Sequence, residues 1–410
     1  MSKTENLIVN NLVYSVPPSS TAAIERSYKR GYFDNRSYAE ERTMRCVVQT
    51  GAQYINCATS SLVIKVKPVH DGTSVNWGVG SAANLIKNVR VFSKSGVELS
   101  NILNTNLNRV CEDYASEDLD WFTSVGALMG YDSAPGADHD MPTSATTYEF
   151  VIPLCKVSPV FAPLGEQLMP ASLASGLILE IDLESATNAF KLEGAGAVAS
   201  SYTIEDIYLN LDNTTLNDMT VMTLNDITAK QLLEWSYVDV YNSNLTHNEG
   251  SSLLSTSINK SVSFADHIVA AIQNQTTADK AADNFIIPWT SSAGKYQYSL
   301  GSVQLPSNVM IDSLKQSYFQ ALSTYDRLRD TGKSAGYLPL AAYEGIVATK
   351  TTSFSKDQQL ALSQLPISSA RSLRLNVEYT SPPPSNQVVN VYLHYVKVAE
   401  VSLTDCKINY

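Results

Sequence analysis

Apolar residues recur at every second position in many short stretches of the chain, and two of those stretches read almost alike. One is PASLASGLILEIDL, starting at Pro170; the other is PISSARSLRLNVEY, starting at Pro366. Aligned without a gap they share the proline, Ser172 with Ser368, Ala174 with Ala370, Leu177 with Leu373 and Leu179 with Leu375. In both, a small polar run gives way to alternation: Leu177, Leu179, Ile181 and Leu183 in one, and Leu373, Leu375, Val377 and Tyr379 in the other. That is the period-two pattern of a half-buried strand. The offset, 366 − 170 = 196, is close to half of the 410 residues, which predicts two copies of one β module.

A second pair of stretches supports the repeat. Alternation predicts strands over 45–49, 62–67 and 89–93, separated by turns at His70-Asp-Gly and Lys94-Ser-Gly. After Val97-Glu-Leu the spacing becomes helical, with Leu103, Leu107, Val110 and Tyr114 three or four apart. Val303-Gln-Leu stands in the same relation to Ile311, Leu314, Tyr318, Leu322, Tyr325 and Leu328. Strand, turn and helix therefore follow in one order in both halves, and loops absorb the difference in length between the two offsets.

Further strands are predicted over 148–154, 204–211, 253–259, 262–265, 285–289, 346–349 and 388–398, while 268–272 fits either strand or helix. Residues 125–147 and 330–345 read as matching loops. The expected organisation is an N-terminal arm over 1–40, a first jelly roll over 41–215, a linker with a short helix (224–233) within 216–234, and a second jelly roll with a tail over 235–410. Each half has about eight short strands with frequent turns, the spacing of a sandwich or barrel, so the fold class is all-β, two consecutive eight-stranded jelly rolls with a short helix inserted in each.

Composition agrees. Charged residues are only 17% of the chain and tyrosines number 22, a mix suited to pleated surfaces. With 29 Lys and Arg against 40 Asp and Glu the net charge is −11, which argues against a broad phosphate-neutralising surface and sequence-specific nucleic-acid binding. The five cysteines lack CxxC spacing and read as buried reduced thiols. The N-terminus lacks the apolar core of a signal peptide and no run reaches membrane-spanning length, so sequons such as Asn213-Thr-Thr are expected to be unused.

The runs LIKNVRVFSKSGVELSNI, IPLCKVSPVFAPLGEQLMPASLASGLILEIDL, YQYSLGSVQLPSNVMIDSLKQSYFQAL, ARSLRLNVEY and VVNVYLHYVKVAEV, in that order, resemble double jelly-roll major capsid proteins of tailless icosahedral DNA viruses, of the polinton-like virus and virophage type. The resemblance covers most of 84–401. It implies a virion structural protein, a homotrimer forming pseudo-hexagonal capsomers that tile a shell, with penton and minor capsid proteins as further partners. The expected contact regions are the arm (7–38), the join (216–235), the loops 125–147 and 330–345, and the tail after Val401.

Two other readings compete. A two-roll cupin-like enzyme needs imidazoles converging on a metal; His70, His139, His247, His267 and His394 are scattered and form no His-x-His. A glycan-binding or fibre protein would expose Trp77, Trp121, Trp235 and Trp289, whereas a coat subunit would bury Trp235 and Trp289 at strand starts and set Trp121 near a subunit contact. The acids Glu40, Glu41, Glu112, Asp113, Glu117, Asp118 and Asp120 read as solvated faces or helix ends. Neither a P-loop nor a Gly-x-Ser-x-Gly elbow occurs. No catalytic, cofactor-binding or metal residue is therefore assigned, and no cofactor is expected.

Overall fold

The structure is a computed structural model that describes residues 23–70, 75–132, 146–165, 167–192, 199–230, 232–273, 286–287, 294–305, 309–325, 340, 343, 349–354, 367, 372–383, 385–402 and 406–409. In the first half the strands are β1 (Ala23–Tyr32), β2 (Tyr38–Ala39), β3 (Thr43–Val47), β4 (Tyr54–His70), β5 (Val75–Asn76), β6 (Ile86–Phe92), β7 (Glu98–Ile102), β8 (Tyr148–Pro153), β9 (Ile178–Leu183), β10 (Lys191–Leu192) and β11 (Ala199–Leu216). In the second half they are β12 (Leu233–His247), β13 (Leu253–Ile258), β14 (Ala265–Gln273), β15 (Ile286–Ile287), β16 (Lys295–Leu300), β17 (Val303–Leu305), β18 (Lys350–Ser353), β19 (Leu373–Glu378), β20 (Gln387–Val401) and β21 (Cys406–Asn409). The longer helices are α1 (Thr105–Ser116), α2 (Asp218–Lys230) and α3 (Leu314–Thr324).

The sheets repeat. The first half pairs β1-β11-β4-β8 and β3-β9-β6-β7; the second pairs β12-β20-β14-β18 and β13-β19-β16-β17, all antiparallel. Strand for strand these are the same order, which is the two-sheet jelly roll.

The two stretches that read alike are β9 and β19, each the second strand of its sheet. Leu179, Ile181 and Leu183 are at most 2% exposed, as are Leu373, Leu375 and Val377, so the alternation does place one side of each strand in a core. Between them the polar residues of β9 meet cross-strand partners: Asp182 accepts from Thr43 at 2.6 Å and from Asn88 at 3.0 Å. Each copy also has a hairpin two strands along. Gly96 (φ +85°) turns β6 into β7 and Gly301 (φ +60°) turns β16 into β17, a backbone region that only glycine enters without strain. Then α1 and α3 follow at equivalent places. The segment 268–272, which fits either state by pattern, lies in strand β14.

Several expectations need correction. The arm was expected to extend to residue 40, but from Ala23 the chain is already β1, an edge strand paired to β11. Its sequence, AIERSYKRGY, carries no apolar alternation because its side chains are almost all exposed; backbone pairing and the Arg26–Asp212 contact hold it, with Asp212 also accepting from Thr59. Burial pushes the Asp212 carboxyl up, and the Arg26 and Thr59 hydrogen bonds outweigh that, leaving it below its ordinary range. The join helix starts at Asp218 rather than near Leu224, because Asn217 Oδ1 accepts from Thr220 N at 2.7 Å and caps it. Of the strand expected at 262–265, Val262 makes only an isolated bridge to Ile367, and β14 starts at Ala265. The strand expected at 346–349 lies mostly outside the described residues, and β18 begins at Lys350.

Candidate functional site: the seam between the rolls

The rolls meet along one face of the sheet β12-β20-β14. Its inward residues Val389, Val391, Leu393 and Tyr395 belong to the core of the second roll, whereas Tyr392, Val269, Ala271 and Trp235 pack into the core of the first. Both faces are covered, which is why VVNVYLHYV in β20 is apolar at nearly every position.

Polar groups at this seam are paired across it. Trp235 Nε1 donates to Val160 O at 2.9 Å and Tyr237 OH to Leu99 O at 2.6 Å. Asn104, at a positive φ of 49° just before α1, donates to Asn390 at 2.9 Å and accepts from Tyr392 OH at 3.0 Å. Asp239 is buried and receives Ser100 Oγ at 2.6 Å, Tyr395 OH at 3.1 Å and Lys397 Nζ at 3.1 Å. A buried polar network satisfied in one arrangement specifies that arrangement, since any shift strands its members. The seam thus sets how the rolls sit on each other.

On the first-roll side, α1 carries a charged group that was read as solvated. Asp113 is fully buried; Lys156 Nζ donates to it at 2.6 Å and Tyr131 OH at 3.0 Å. Asp118 caps the turn that follows by accepting from Trp121 N at 2.8 Å. Next to Asp113, Glu112 divides its oxygens: Oε2 lies 3.1 Å from Arg109 and Oε1 lies 3.2 Å from His394 Nδ1. His394 (β20) is the register partner of His267 (β14), and the two rings stack at 3.9 Å with planes 12° apart. Burial, helped by His267 and Arg109, holds His394 well below the ordinary imidazole pKa. These histidines are far apart in sequence, so a search for His-x-His does not find them, and only the register of β14 on β20 brings them together.

The other sequence candidates fall elsewhere. His247 stacks on Tyr379 at 4.3 Å, and His139 lies outside the described residues. Trp77 and Trp235 are at most 1% exposed, and Trp121 is half-buried, packed on Tyr131 and Phe122; Trp289 lies outside the described residues. No described tryptophan offers the open stacking face a glycan platform needs. Among the expected contact regions, β1 exposes Ile24, Tyr28 and Tyr32, and α2 exposes Met219 and Met222 (81% and 68%). Beside α2 an apolar groove of about 530 Å³ is lined by Leu168, Leu224, Ile227, Leu232 and Trp235. Residues 133–145 and most of the loop 330–345 lie outside the described residues. Among the described residues no helix is long and apolar enough to cross a membrane.

No protein-family model matches the chain, and no curated protein matches it by sequence. Solved structures do. VP54 of PBCV-1, fitted into a reconstruction of the virophage Sputnik, matches with a TM-score of 0.65 at 10% identity, over 97% of this chain and 99% of that one. The Faustovirus major capsid protein matches with a TM-score of 0.63 at 8% identity, over 98% and 94%. The mavirus major capsid protein matches with a TM-score of 0.53 at 8% identity, over 97% and 94%. With one strand order written twice and a likeness that runs almost end to end, the protein has the double jelly-roll fold that these viral major capsid proteins share.

Proposed function

We propose that the protein is a major capsid protein: a homotrimer whose six rolls form a pseudo-hexagonal capsomer, tiling an icosahedral virion shell. The observation that carries this reading is the pair of rolls with identical strand order, held rigidly side by side by a buried seam. Two like rolls per chain are what a trimer needs to approximate a hexagon. The role is structural, and its chemistry is that of surfaces. In this reading β1 to β11 make the first roll, the segment with α2 is the join, and β12 onward makes the second roll.

Exposed apolar side chains at β1 and α2 support these as subunit contacts, since obligate interfaces bury on the order of 2,000 Å² or more and are rich in apolar groups. Penton and minor capsid proteins are the other partners; the −11 charge favours no direct grip on nucleic acid.

Light scattering coupled to size exclusion, with electron micrographs of the purified protein, tests the proposal. Trimers or hexagonal particles are expected, and Met219→Ser with Met222→Ser should weaken them. A concentration-independent monomer that forms neither trimers nor shells would overturn the reading. Turnover of a substrate would instead favour the cupin-like alternative.

A further inference from the structure

We propose that Glu112, His267 and His394 bind one borderline divalent cation, of the Zn²⁺ class, which clamps the two rolls together. One donor atom from each of the three lies within 4.8 Å of the others. They come from three elements on both sides of the seam: α1 of the first roll, and β14 and β20 of the second.

The donor set suits such an ion. Zn²⁺ takes imidazole nitrogen and carboxylate oxygen, and two donors each about 2.0–2.1 Å from a tetrahedral ion stand roughly 3.3 Å apart. Glu112 Oε1 and His394 Nδ1 are already 3.2 Å apart. His267 is prepared differently: its Nδ1 lies 2.8 Å from Asp266 Oδ2. A carboxylate that accepts the Nδ1 proton fixes the tautomer and leaves Nε2 with its lone pair, the usual second partner of a metal-binding histidine. The rings must turn out of their parallel stack by side-chain rotation for both lone pairs to converge.

Unpaired buried atoms lie at the same spot. His267 Nε2, the nitrogen it offers the ion, is buried without a hydrogen-bond partner, and so is Tyr325 OH, whose ring stands 5.2 Å from that of His267. The His267 side chain is 9% exposed and that of His394 2%. A buried polar atom left unpaired is costly, and an ion held by His267 Nε2, His394 Nδ1 and Glu112 would satisfy the first of these. Charge is compatible: Glu112 and Asp266 against Arg109 leave one net negative charge facing the histidines. The ion would complete the seam, with no reaction assigned to it.

The full-length protein is stripped with EDTA, moved into chelator-free buffer, incubated with Zn²⁺ alone and passed through a sizing column before metal is counted. One Zn²⁺ per chain and a raised melting temperature are expected. His267→Gln and His394→Gln should each lose the ion, while His247→Gln, at the distant Tyr379 stack, should keep it. Co²⁺ alone should give the visible absorption of a tetrahedral or five-coordinate site in the unaltered chain, a readout that needs no variant to fold. Asp266→Asn, which keeps the shape, should weaken Zn²⁺ about 10–100-fold. Zero retention with no Co²⁺ spectrum, or full retention in the His267→Gln/His394→Gln double variant, would overturn the site.

Discussion

Strands β1 and β12 hold the same position in their rolls and live in different surroundings. Nearly every side chain of β1 is exposed, whereas Trp235, Tyr237, Asp239, Val240 and Asn242 of β12 are buried. Their neighbours differ in the same way. Burial alternates along much of β11 and is almost continuous along β20. The cause is the first roll, which covers the outer face of the second roll's sheet, while among the described residues nothing covers the outer face of its counterpart. Topology is duplicated; environment is not. The uncovered sheet is the one that the proposed assembly would have to use.

The largest effect that would separate the two sheets is at Asp239. Asp239→Ala leaves the Lys397 ammonium buried without its carboxylate, and breaking such a pair costs about 3–5 kcal/mol. The urea midpoint should fall accordingly, far more than for substitutions on the exposed face of β1. A midpoint within error of the unaltered protein would mean that the seam does not hold the rolls.

Equivalence of the repeated strands is tested by a matched pair. Leu179 and Leu375 are both fully buried, so Leu179→Ala and Leu375→Ala should each destabilise by about 2–5 kcal/mol. Similar losses would sharpen the comparison, and a loss at only one would break the equivalence of the two cores. Hydrogen exchange gives a smaller, local contrast. Amides of β1, an edge strand with little side-chain burial, should exchange well before those of β12, because low burial lowers the local opening free energy. Arg26→Ala should speed β1 further and leave β12 unchanged.

The smallest effect is a pH window confined to the second roll. Burial lowers the Lys350 pKa from 10.5 to about 8, and β18 holds it among buried residues beside Tyr296. Between about 8 and 10.5 the unfolded chain binds more protons than the folded one, so stability rises with pH there. Relative to Lys350→Met, the melting temperature of the unaltered protein should climb modestly from pH 8 to 10. The buried thiols (Cys46 and Cys57, pushed up to about 12) and tyrosines (Tyr343, pushed up to about 12) act in the opposite direction from about pH 9 and 10 upward, which is why the comparison is with the variant.

Much of the architecture was legible. Alternation at Leu177–Leu183 and Leu373–Tyr379, the glycine hairpins and the helical spacing after them are local signals, set by which side of a short element avoids water. They were enough to reveal two copies of one roll. Misreadings occurred where that signal is absent: β1 is held by backbone pairing and reads as an arm, and the pair Glu112-Asp113 reads as a solvated face although Asp113 is buried with Lys156.

What the sequence by itself determined, then, is the strand inventory and its repetition, because periodicity states that a face is apolar. It does not state what will cover that face. Which roll lies on β12-β20-β14, why Asp239 meets Lys397, and that His267 and His394 stack beside Glu112 were decided only by tertiary structure. Those contacts join residues distant along the chain, and they exist through strand register and the docking of one roll on the other, neither of which leaves a local mark.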